Sequence, residues 1–179
     1  GNSALVELQH ILKLNHVPDR IEGYDISNIS GQNATGSLVV FSSGAPDKQQ
    51  YRLFNIRTVR GSNDTAMLRE VLRRRLAHFD PDAPVGASWP LPDLIIVDGG
   101  KGQLNAVRSV ISKQIPIIAL TKNDRHRCDH IYTTGLRSPV PLSRLPEPVR
   151  NLIVAVDAEA HRFAIKQYRR LHKRMLIER

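Results

Sequence analysis

A chain of 179 residues, 41% of them hydrophobic, is long enough for one domain with a full core, and no apolar run approaches the roughly eighteen residues of a membrane span. The lone Cys128 excludes an intramolecular disulfide framework and a multi-cysteine zinc site, and fits a reducing cytoplasm. Twenty-six Lys and Arg against 17 Asp and Glu leave a net charge of +9, which points to a polyanionic partner, nucleic acid before an anionic membrane.

In residues 4–14, Ala4, Leu5, Leu8, Ile11 and Leu12 recur at three and four, the spacing of a short amphipathic helix. It is expected to lie outside the domain proper, as a helical extension of residues 1–19 ended by Pro18, with residues 20–179 forming the main domain. Arg20–Ile29, Thr35–Ser42 and Gln49–Thr58 read as three strands, and their short glycine-containing connections predict an antiparallel meander. The period then changes. Asn63 and Asp64 are both good N-caps, and Met67, Leu68, Val71, Leu72, Leu76 and Phe79 make a helical face.

Pro81–Pro92, rich in proline, is a surface loop. Leu94–Val97, with three β-branched residues in four, is a strand buried on both faces. A helix over 103–113 and a fifth strand over Ile115–Leu120 follow. Residues 122–148 are irregular, with a small hairpin at Ile131–Thr133 and Val140–Leu142. From Val149 a long helix carries the stripe Val149, Leu152, Ile153, Val156, Ala160, Phe163, Ala164, Gln167 and Leu171. This order of elements predicts an α/β fold of the ribonuclease H-like type: a mixed five-stranded sheet, an antiparallel meander plus parallel strands, flanked by helices.

The chemistry gathers at a few acids. Asp98 ends the buried strand and is followed by Gly99 and Gly100; in open α/β sheets working residues sit at such carboxyl ends, although a carboxylate there also suits a helix cap. Asp25 stands within an apolar strand, where an acid costs stability unless paired, solvated or bound to metal. Alternation puts it on the face opposite Tyr24 and Ile26. The closing helix offers Asp157, Glu159 and His161. Asp157 and His161, four apart, share a face from which Glu159 turns away.

Tyr24-Asp25-Ile26-Ser27-Asn28, Phe54-Asn55-Ile56, Asn63-Asp64, Arg69-Glu70-Val71-Leu72, Leu94 to Gln103 and Glu159-Ala160-His161-Arg162-Phe163-Ala164 occur in one order. Over Arg20 to Arg170 they resemble the C-terminal endonuclease domain of UvrC, the incision subunit of bacterial nucleotide excision repair. The resemblance implies a ribonuclease H-like, Mg²⁺- or Mn²⁺-dependent DNA endonuclease that cuts 5′ of a lesion. It implies an Asp25, Asp98 and His161 triad as catalytic residues and metal ligands, with Asp64 as a further catalytic acid and Lys101 and Lys122 at basic positions. Damaged double-stranded DNA is the implied partner, with a UvrB-type helicase bound through other parts of the parent protein. Backbone contacts to DNA are expected from the basic closing helix, at Arg162, Lys166, Arg169 and Arg170.

The chain departs from the family pattern in three places. Asn63 replaces one of two aspartates and Thr65 an aromatic. Val154–His161 replaces the usual Gln-Arg-Ile-Arg-Asp-Glu-Ala-His, losing an Arg pair and displacing an acid. Asn123–Thr134 lacks the usual acidic-aromatic character. The nuclease and helix-hairpin-helix segments of the parent protein are not visible, so an excised domain or a short homologue is expected. A catalytically silent DNA-binding module of the same fold stays open, as does cleavage of RNA–DNA hybrids. A phosphate-binding loop at Gly99–Gly102 fails on spacing and on the missing hydroxyl after the lysine.

Overall fold

The computed structural model describes residues 3–28 and 34–177, with Met175 by its backbone alone. The strands are β1 (Arg20–Ser27), β2 (Thr35–Ser42), β3 (Ala45–Pro46), β4 (Arg52–Asn55), β5 (Leu94–Asp98), β6 (Ile117–Lys122), β7 (Cys128–Thr133) and β8 (Val140–Pro141). The helices are α1 (Ser3–Leu12), α2 (Asp64–Leu76), α3 (Lys101–Arg108) and α4 (Glu147–Ile177). One mixed sheet has the order β3-β2-β1-β5-β6-β7-β8, with β4 also on β2. The meander β1-β2-β4 is antiparallel, and β5 runs parallel to both β1 and β6. The five expected strands are β1, β2, β4, β5 and β6. Two-residue β3 and the β7–β8 hairpin carry the sheet to eight strands; β7 pairs antiparallel with β6 and takes in Cys128–His130 as well.

Side chains alternate across the sheet as the pleat requires. On one face Ile21, Val39, Leu94, Ile96, Ile118 and Leu120 pack beneath Val149, Ile153, Val156 and Ala160 of α4. On the other, Leu38, Val40, Ile95, Val97, Ile117 and Ala119 meet Leu68, Val71 and Leu72 of α2 and Leu104 and Val107 of α3. Each such fully buried aliphatic side chain contributes roughly 1.5–3 kcal/mol of transfer free energy. Helix α1 packs on the α4 side, where Leu5 and Leu8 are fully buried and join that core.

Three elements stop short of their apolar patterns: the third strand, α2, and α3, which ends at Arg108 rather than 113. The third strand ends at Asn55 because the backbone N–H groups of Arg57 and Thr58 donate to the Glu70 carboxylate, at 2.9 and 2.6 Å, instead of to a neighbouring strand. Helix α2 ends at Leu76, so Phe79 lies beyond the Ala77 C-cap and is partly exposed. There His78 stacks on Trp89, whose ring also meets Phe54 edge-on. Among the described residues no helix is long and apolar enough to cross a membrane.

Candidate active site

The β1–β5 register sets Tyr24 opposite Val97. One step further along the same parallel pair places Asp25 beside Asp98, and alternation turns both carboxylates to the face that α4 covers. The helix comes close because Gly23 has no side chain: a Cβ there would fall 2.7 Å from Val156 Cγ1. Val156 thus rests on β1, and Asp157 and His161, one turn apart on the same face, hang over the strand ends.

His161 Nδ1 lies 3.4 Å from Asp25 Oδ2, and 61% of the His161 side chain remains open to solvent. Lys122, the last residue of β6, donates from Nζ to Asp98 Oδ2 at 3.1 Å and lies 3.4 Å from Asp157 Oδ2. The Cys128 thiol completes the surroundings of Asp157, donating to Oδ2 at 3.8 Å. Below these groups Asp25, Asp64, Asp98 and Gln103 line a cavity of about 80 Å³. That is room for an ion and a few waters, and far too little for a nucleoside. Gly99 shapes its wall. At φ +123° it suits only glycine, and a Cβ would fall 2.6 Å from Gln103 Cδ.

Asp64, an exposed residue at the rim of this cavity, is not the helix cap: Asn63 Oδ1 accepts from the Ala66 N–H at 3.0 Å and caps α2.

Charge is concentrated beyond what its partners neutralise. Burial pushes Asp25 from its ordinary 3.8 to about 6; His161 pulls it down, while Asp98 and Asp157 push it up. Asp157 is also raised, by burial first, with Lys122 opposing. Burial lowers Lys122, but the two carboxylates outweigh it and the ammonium holds its proton more tightly than usual. Burial, then Asp157, raises the Cys128 thiol. The acids gathered here suit a hard divalent cation: Asp25, Asp64 and Asp98 are among the residues lining the cavity, beside Tyr24, Ile26, Leu68 and Val97, and with Asp157 they outnumber the charges of Lys122 and a partly exposed imidazole. As the side chains stand, no three His, Cys, Asp or Glu among the described residues close around a single point.

The other expected residues fall elsewhere. Lys101 opens α3 and is exposed, outside the cavity lining. Arg162 is engaged by Glu159, from Nε at 2.7 Å and Nη2 at 2.6 Å, and Glu159 also accepts from Tyr51 Oη at 2.8 Å. Lys166, Arg169 and Arg170 are exposed and, with Arg162 and Lys173, line an open groove of about 650 Å³ along the second half of α4. Asp157, which the sequence offers on the face of His161 but the resemblance leaves out of the triad, joins the site, with Lys122 and Cys128 beside it.

Comparison with known proteins agrees with this architecture. The family model for the UvrC RNase H endonuclease domain matches residues 9–165. UvrABC system protein C of Clostridium novyi is 37% identical over 189 residues, covering 98% of this chain and 30% of that protein. Its counterpart in Dictyoglomus thermophilum is 43% identical over 180 residues (98% and 28%), and that of Methanosarcina mazei 40% over 178 residues (98% and 32%). The chain therefore spans about 30% of the length of these relatives. Among solved structures, a Ciona intestinalis endonuclease V variant, in complex with a 23mer DNA containing an inosine followed by a ribo-adenosine, superposes with a TM-score of 0.50. Its sequence identity is 11%, with 86% of this chain and 87% of that chain covered. That likeness speaks to the fold, which is ribonuclease H-like. With its strand order, its α4 laid across β1 and a family model matching most of its length, the chain belongs to the UvrC RNase H endonuclease domain family.

Proposed function

We propose that this chain is a divalent-metal-dependent DNA endonuclease module that hydrolyses a phosphodiester, making the 5′ incision of bacterial nucleotide excision repair. The observation that carries the reading is the pairing of Asp25 with the His161 ring at 3.4 Å, at the ends of two neighbouring strands where Asp25 and Asp98 both line a cavity of about 80 Å³. When bound, Mg²⁺ or Mn²⁺ supplies water activation and neutralises charge on the phosphate. Asp25 and Asp98 would hold the cation through carboxylate oxygens, with Asp64 as a further acid on the same cavity. His161, with one nitrogen against Asp25 and most of its ring in solvent, is suited to ligate the cation or to take a proton from the attacking water. Lys122, fixed by two carboxylates, presents its remaining donors to a phosphate oxygen.

Damaged duplex DNA is the proposed substrate. It would be held through its phosphates by Lys101, Lys122, Arg162, Lys166, Arg169 and Arg170, with a UvrB-type helicase engaged through regions outside this chain. Residues 20–179 are proposed as the endonuclease unit, with 1–19 as an extension whose helix packs onto it.

One observation favours a silent DNA-binding module instead: Lys122 already pairs with Asp98, and among the described residues no third ligand closes on the two aspartates. Cleavage of a nicked-circle-reporting plasmid duplex with Mn²⁺ separates the two. The Asp98→Ala protein is expected to lose at least about 100-fold in cutting rate while its DNA affinity in EDTA stays unchanged. Retained cutting would overturn the assignment, and a wild type that binds but never cuts would establish the silent module.

A further inference from the structure

Helix α4 carries basic side chains on both sides of the candidate site, and only one of the two sets belongs to the DNA contacts proposed above. The second set borders an open groove of about 530 Å³ between the β6–β7 turn and the first half of α4, lined by His126, Arg127, Cys128, Arg150 and Val154 among others. We propose that this groove holds the backbone of the DNA strand on the side of the cut away from the Arg162–Lys173 surface. The strand would then run along α4 with the reacting phosphate in between. This rests on the reading of the chain as a DNA-acting module and adds a binding surface to it.

Three observations carry the placement. The groove borders the site through Cys128, whose thiol donates to Asp157, which in turn lies 3.4 Å from Lys122 Nζ. Its cations are free: among the described residues neither Arg127 nor Arg150 pairs with a carboxylate, while Asp129, the acid on the same wall, is engaged by His130 Nδ1 at 2.8 Å. The turn that presents Arg127 is pre-ordered. Asn123 Oδ1 accepts from the N–H groups of Arg125 and Arg127 at 2.9 and 3.1 Å, and Asn123 N–H donates to the Arg127 carbonyl at 2.8 Å.

The helix supplies the alignment. Arg150, Val154, Asp157, His161, Ile165, Arg169 and Lys173 follow one another at steps of three or four, a ridge with the site at its middle that winds by about 140° around the helix from Arg150 to Lys173. From Arg150 to Lys173 that ridge is ~35 Å long, about one turn of duplex DNA. A strand that follows the winding of this ridge meets cations before and after the site.

The test is anisotropy of a fluorescent duplex bound to the full chain in EDTA, over a series of salt concentrations, with hydroxyl-radical footprinting of the same complex. Because no cutting is needed, a silent protein serves equally well. The Arg127→Ala/Arg150→Ala protein should bind with a salt slope smaller by about 2, near 0.9 for each lost phosphate contact, and should lose protection at one end of the footprint only. The Arg127→Lys/Arg150→Lys protein should regain the wild-type slope, which a folding defect would not allow. An unchanged slope in the alanine variant overturns the groove and leaves the DNA reading standing. Protection lost evenly overturns its placement on one side of the cut. A wild type with no salt-dependent DNA binding overturns the groove together with the reading it rests on.

Discussion

Glu22 and Asp25 lie three residues apart on one strand, and their surroundings could hardly differ more. Glu22 faces the α2 side and is wholly buried, yet its carboxylate is saturated. It accepts from Arg75 Nε and Nη2 at 2.8 Å each, from Arg20 Nε at 2.8 Å and from Tyr24 Oη at 2.6 Å. Asp25 faces α4 and is left with one imidazole at 3.4 Å and the like charges of Asp98 and Asp157. A buried carboxylate is tolerated when guanidinium groups and hydroxyls replace its water. Where a fold keeps one underpaired beside others, the arrangement costs stability and suits a ligand that brings positive charge. Glu22 fastens strand to helix; Asp25 holds a charge in reserve.

The largest effect that could break this comparison is on stability at Glu22. Glu22→Ala strands the fully buried Arg75 guanidinium and is expected to cost about 3–5 kcal/mol in urea unfolding. A loss under about 1 kcal/mol would show that the network is not what fastens β1 to α2.

At Asp25 the sign reverses. The folded chain keeps that proton up to about pH 6, against an ordinary 3.8, so the native state binds more protons between those values. Stability from this group is therefore complete at acid pH and is lost as the pH climbs from ~4 through ~6. In EDTA, Asp25→Asn should be more stable than wild type at pH 8, on the order of 1–3 kcal/mol, with the difference shrinking toward pH 4. Melting temperatures across that range read it directly, and a variant less stable than wild type at pH 8 would sink the idea.

The smallest effect separates two neighbours at the start of α2. Asn63→Ala removes the cap and is expected to cost about 1 kcal/mol, while Asp64→Ala, at an exposed position on the cavity rim, should change stability by less than about 0.5 kcal/mol. Equal losses would return Asp64 to a capping role.

Much of this was legible in the sequence, for local reasons. Four apolar residues ending in Asp98-Gly99-Gly100 can hardly be other than a buried strand meeting a tight turn, and period-two alternation already turned Asp25 away from Tyr24. The stripe from Val149 to Ala164 described the buried face of α4, and the weak hairpin at Ile131 and Val140 is present as β7–β8. What escaped was long-range. Nothing local shows that Glu70 withdraws Arg57 and Thr58 from the third strand, or that Leu5 and Leu8 reach the main core. Nothing local marks Glu22, because its partner Arg75 lies 53 residues away. Asp157 stood in plain view beside His161, but Lys122 and Cys128, its neighbours, arrive from β6 and β7.

Calorimetric titration of the metal-free protein with Mn²⁺ at pH 8 tests the heart of the matter, alongside Asp25→Asn and Asp98→Asn. If the two carboxylates share one cation, the wild type binds it and each variant weakens the affinity by at least about 10-fold. Binding that is identical in all three proteins, or absent from the wild type, would contradict it.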